Sequence, residues 1–79
     1  MDDLDILFLE MIRRIDNRPE LVCTLDYKMM CDFIFVLFAR NYKDICKKCV
    51  IAAYEKYGAK VFMDLRINSI HFIRVALAS

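Results

Sequence analysis

Only two residues in this chain of 79, Pro19 and Gly58, belong to the types whose backbone chemistry breaks a helix. So few breakers leave little chain for loops. The spacing of the apolar residues supports helix between them. Leu4, Leu7, Phe8, Met11, Ile12 and Ile15 recur at helical intervals and predict a first helix over residues 3–15. Asp2 or Asp3 is placed to cap it, and Asp5, Glu10, Arg13 and Arg14 fall mostly on its other side. Asp16-Asn17-Arg18-Pro19 stops it, since the proline ring disfavours a helical Arg18 and Asn17 tolerates a left-handed C-cap. Leu21-Val22-Cys23 reads as a short apolar bridge, and Thr24 as the N-cap of the next segment. Gly58 is the natural C-cap further on, with Lys56 and Lys60 near the negative end of the dipole. Val61-Phe62-Met63 reads as an extended link. A last helix then runs to about Leu77, capped by Asp64 or Asn68, with Ile70, Ile73 and Leu77 on one apolar side.

Between Leu25 and Tyr57 there is neither Gly nor Pro, and around Phe33–Ala39 the chain is apolar on every side. A helix of that kind is surrounded by protein. Two arrangements fit. One unbroken helix would be about 50 Å long at 1.5 Å per residue, too long for the short flanking helices to cover. A break at Arg40-Asn41, with Asn41 capping a new helix and Asp44 in its first turn, would give a compact bundle of four to five helices, in the manner of death-fold or small viral adaptors. Asn41 alone marks that break, and asparagine inside a helix costs at most about 0.7 kcal/mol.

The apolar fraction is 59%, above the roughly 45–50% of ordinary soluble domains. A domain this small hides only about 60% of its unfolded surface when it folds alone. The surplus predicts another protein chain as partner, in a hetero- or homodimer. Lipid fits poorly: the longest clean apolar run, Phe33–Ala39, is seven residues, against the roughly 20 of a spanning helix. The first ten residues hold three Asp and one Glu, where a secretory leader has a basic start. Four cysteines without such a leader predict free thiols and an intracellular protein, nuclear or cytoplasmic.

The end of the central segment, Glu55-Lys56-Tyr57-Gly58, followed by Ala59-Lys60-Val61-Phe62-Met63 and an amphipathic helix, resembles the histone-fold subunits of the general transcription factor TFIID. The order short helix, long central helix, short helix is similar to the histone fold, and the size to compact members such as CENP-X. The likeness covers residues 4–77 in pattern, and in identity about 55–62. It implies an all-α, histone-fold-like subunit that dimerises through its central helix, in a transcription or chromatin complex. The face carried over by position is Met30, Phe33, Ile34, Leu37, Phe38, Ile45 and Cys49. The chain departs from histones in its near-neutral charge of +1, so a nucleosomal role is not implied.

Nucleic acid is a secondary expectation. Arg40, Lys43, Lys47, Lys48, Lys60 and Arg66 would supply the phosphate contacts, although a charge run of this kind is usually a solvated helix face. No enzyme, metal or cofactor is expected. Cys46-Lys47-Lys48-Cys49 puts two sulfurs on one helical face, but Cys23, Cys31 and His71 form no second pair to complete a zinc tetrahedron. His71 has no readable nucleophile beside it, the carboxylates are scattered, and one glycine makes no phosphate-cradling loop. Met29, Met30, Phe33, Phe35 and Phe38 read equally as core or as a binding groove, with Phe35 and Val36 on the side facing outward.

Overall fold

The structure, a computed structural model, describes residues 2–78, apart from the side chains of Phe72, Val75 and Ala76. It is all-α: helices α1 (Asp3–Asn17), α2 (Tyr27–Ala39), α3 (Lys43–Tyr57) and α4 (Lys60–Ala78), with a 3-10 helix at Pro19–Thr24 between the first two. The Asp2 carboxylate starts α1 by accepting from the Asp5 amide at 2.9 Å. Pro19 ends it by holding Arg18 extended (φ −139°, ψ 80°), so Asn17 stays helical rather than turning left-handed. Pro19 then opens the 3-10 helix, where a missing N–H costs nothing. The Thr24 hydroxyl donates to the Leu21 carbonyl at 2.6 Å. The cap of α2 is instead Asp26, whose carboxylate accepts from the Met29 amide at 2.9 Å.

The central segment is two helices. Asn41 sits in the left-handed region at φ 67°, and its amide donates to the Phe38 carbonyl at 3.1 Å while the Tyr42 amide donates to that of Leu37 at 2.9 Å. This pair of bonds is a Schellman motif. Asn41 therefore closes α2, one of the few non-glycine residues able to do so, and Tyr42 makes no side-chain cap for α3. The expected single long helix is replaced by the bundle, because the motif satisfies the carbonyls that a continuous helix would have used. The unbroken central helix of the expected short–long–short order is thus absent between α2 and α3. Gly58, at φ 83°, ends α3 as its sequence predicts. Val61-Phe62-Met63 is helical, not extended, since α4 begins at Lys60.

The core holds Ile12 and Ile15 of α1, Val22 of the 3-10 helix, Met30, Cys31, Phe33, Ile34 and Leu37 of α2, Cys49 and Ala53 of α3, and Val61 of α4. α2 packs on α3, α4 and the 3-10 helix; α1 packs on the 3-10 helix and α3; α4 packs on α2 and α3. The backbones of α1 and α4 do not meet. Phe8 joins α1 to the middle of the bundle, its ring 5.9 Å from that of Phe33 and 6.1 Å from that of Tyr42. The molecule is a flattened body of 37 × 36 × 21 Å, about two helix diameters thick.

Candidate functional site

The fold that buries α2 decides where the expected partner face goes. Because α3 doubles back at Asn41, Met30, Phe33, Ile34, Leu37 and Cys49 lie in the molecule's own core, and Ile45 is half-buried. Phe38 alone of the seven is exposed, at 67%. The expected interface is therefore mostly intramolecular packing.

What remains outside is an apolar groove where α2, α3 and α4 converge. Its walls are Ile34, Phe35 and Phe38 of α2, Cys46 and Val50 of α3, and Leu65, Arg66 and Ser69 of α4, around a volume of about 220 Å³. That is below the roughly 300–1,000 Å³ of small-molecule sites, with room for about one apolar side chain. The helix spacing produces it directly: Ile34 and Phe38 are i,i+4 on α2, Cys46 and Val50 on α3, Leu65 and Ser69 on α4. The floor is chemically quiet. The Cys46 thiol donates to the Ile34 carbonyl at 3.7 Å, and burial pushes its pKa up. Phe38 and Arg66, the one charged lining residue, are the exposed members of the lining and form its rim.

A second apolar surface runs along the outer side of α4. Its inner stripe is Val61, buried, and half-buried Asp64, Leu65 and Asn68. On the opposite side Met63, Ile70 and Leu77 recur every seven residues, with Ile67 and Ile73 beside them, and all five are exposed. Ile70, Ile73 and Leu77, the apolar side expected of this helix, are all exposed. Sequence signalled this second stripe, since α4 carries apolar residues on two sides and only one side can meet the bundle. Arg66 and Arg74 flank the outer stripe.

α4 is held at its start by a cluster of polar contacts. The Tyr27 hydroxyl donates to the Asp64 carboxylate, the Tyr27 ring packs edge-on against Tyr57 at 4.9 Å, and the Lys60 ammonium lies 4.6 Å above the Tyr27 ring. Burial and then the Asp64 carboxylate drive the Tyr27 phenol pKa up, so it stays a donor. Tyr54 and Phe62 stack at 5.3 Å, adding a tie between α3 and α4.

The basic residues are partly committed within the chain. The Arg40 guanidinium lies 4.7 Å over the Phe8 ring. Lys48 pairs with Asp16 at 2.9 Å, and Lys60 rests on Tyr27. Lys43 and Lys47 are exposed on α3, and Arg66 rims the groove.

The four thiols are free. Burial raises the pKa of Cys23, Cys31 and Cys46, and pushes that of Cys49 up to about 12. None is poised as a thiolate. Among the described residues no three His, Cys, Asp or Glu side chains form a group able to hold a metal, and no helix is long and apolar enough to cross a membrane. No protein-family model, curated protein or solved structure matches the chain.

Proposed function

We propose that this chain is a non-enzymatic protein-interaction domain: a self-contained helical-bundle adaptor whose α2–α3–α4 groove receives an apolar anchor from a partner protein. The observation that carries the reading is Phe38, a large aromatic 67% exposed at the rim of an apolar groove, in a bundle whose core is already filled by all four helices. Exposed aromatics beside a preformed cleft are the usual anchors of interfaces. Arg66 at the same rim favours a partner with a carboxylate next to its anchor. Thiols kept protonated by burial suit packing better than nucleophilic work. Dimerisation through the central helix is not retained, since that face is the core.

The test is a paired affinity purification of the wild type and Phe38→Asp, with circular dichroism on both. Equal helicity together with loss of the specific partners in the variant supports the reading. The same partners recovered with both proteins would refute it.

A further inference from the structure

The outer side of α4 and the first half of α1 are two apolar surfaces that one copy of the chain leaves in water. On α1 only Ile12 and Ile15, both in its second half, are buried. Its first turns extend past the core, with Leu4 76% and Leu7 61% exposed. On α4 the Met63–Ile70–Leu77 stripe is exposed along its length, at 59%, 44% and 83%. The 3-4 spacing that Ile73 completes between Ile70 and Leu77 is the pattern by which one helix seats against another.

Charge selects the occupant. The α1 end carries Asp2, Asp3 and Asp5 and no base before Arg13. The outer side of α4 carries Arg66 and Arg74, four residues to either side of Ile70, while the sole carboxylate of that helix, Asp64, is turned toward Tyr27. Pairing α4 with another α4 in antiparallel fashion about Ile70 would set each Arg66 against the other Arg74. Pairing α1 with α1 would set acid against acid. Each surface thus repels its own kind and attracts the other, which is how charged flanks specify helix partners. Within one chain the two cannot meet, because the backbones of α1 and α4 are apart.

Area agrees. A 9.4 kDa monomer is expected to expose about 5,000 Å², whereas this chain exposes 5851 Å². The difference is close to the roughly 800 Å² that each partner buries in a standard interface.

We propose that the chain pairs with a second copy of itself, the acidic apolar end of α1 lying along the basic apolar side of α4, reciprocally in a two-fold dimer. This surface shares only Arg66 with the groove lining and does not depend on the groove reading.

The test is sedimentation or light scattering on the full chain across the micromolar range, at low and high salt. The mass should rise toward twice 9.4 kDa, more weakly at high salt because exposed charges are screened. Reversing Asp3 and Asp5 to Lys, or Arg66 and Arg74 to Glu, should each weaken association roughly a hundredfold. An equimolar mixture of the two reversed proteins should restore the dimer, which also shows that both still fold. Phe38→Asp should dimerise like the wild type. A wild type that stays monomeric throughout, a dimer that survives the Asp3/Asp5 reversal, or a mixture that fails to re-associate would each overturn the proposal. So would loss of the dimer in Phe38→Asp, which would assign association to the groove instead.

Discussion

α2 and α4 both carry apolar residues around most of their circumference, yet five α2 residues are buried whereas Val61 alone of the described α4 side chains is, with Leu65 half-buried against the core. The difference lies in what surrounds each. α2 is flanked by α3, α4 and the 3-10 helix; α4 rests on α2 and α3 by one side only. Apolar content by itself therefore does not say whether a helix is core or interface. The turns that fold neighbours over it do, and in this chain those turns are made at Asn41 and Gly58.

The sharpest way to break that comparison is to place a carboxylate in each helix. Leu37 is fully buried, and Leu37→Asp should cost more than about 4 kcal/mol as an unpaired buried charge. A domain of this length has only about 4–12 kcal/mol of stability, so the variant should be largely unfolded. Ile70 is 44% exposed, and Ile70→Asp should shift monomer stability by no more than about 0.5 kcal/mol. Urea titrations followed by circular dichroism measure both. An Ile70→Asp chain that also unfolds would mean that the outer side of α4 belongs to the core.

A second contrast is chemical. The thiols of Cys31, Cys46 and Cys49 lie along the covered helices α2 and α3, and α4 has none. Burial pushes the Cys49 pKa from an ordinary 9.0 up to about 12. Above pH 9 the unfolded chain loses that proton while the folded chain keeps it, so the unfolded state is favoured as pH rises. Stability should be fully present below about pH 9 and fall by up to about 1.4 kcal/mol per pH unit toward pH 12 for this thiol. Cys23, Cys31, Cys46 and Tyr27 add in the same direction. Urea midpoints followed from about pH 8 to about pH 11 should decline, less steeply in Cys49→Ala. A flat profile would show that the α2–α3 seam is open to water.

The turn that launches α4 gives the next effect. Gly58 has φ 83° and ψ −170°, a region open essentially to glycine. A Cβ there would meet nothing within 4 Å, so Gly58→Ala should cost only backbone strain, about 1–3 kcal/mol. Thermal melts should show a lower Tm with unchanged helicity at low temperature.

Much of this architecture was legible in the sequence. The helical class, a cap at Asp2 or Asp3 and the stops at Pro19 and Gly58 follow from residues whose chemistry leaves few choices. The rest depended on tertiary context. Thr24 and Asp26 are both adequate caps; Asp26 serves because the 3-10 turn engages the Thr24 hydroxyl with Leu21. Val61-Phe62-Met63 has strand-like residues, but burying Val61 favours helix there. The candidate partner face lies mostly in the core, because whether a face of α2 is inside or outside depends on whether the central segment bends. The groove residues Val50, Leu65 and Ser69 carry no local signal, since only the convergence of three helices makes them neighbours.

That bend is also the smallest effect with a decisive sign. Asparagine enters the left-handed region more readily than other non-glycine residues, because its short amide bonds locally to the backbone. At φ 67°, alanine brings the Cβ penalty without that compensation, so Asn41→Ala should destabilise the bundle by about 1–2 kcal/mol. In a continuous helix from Leu25 to Tyr57 the same change would stabilise by up to about 0.7 kcal/mol, since alanine is the best helix former and asparagine a poor one. Asn41→Gly separates conformation from side-chain chemistry: glycine tolerates the left-handed turn but weakens a helix interior. A bundle that loses stability with alanine and keeps it with glycine has its break at this residue, and with it the fold-back that covers α2 and leaves the outer side of α4 in water.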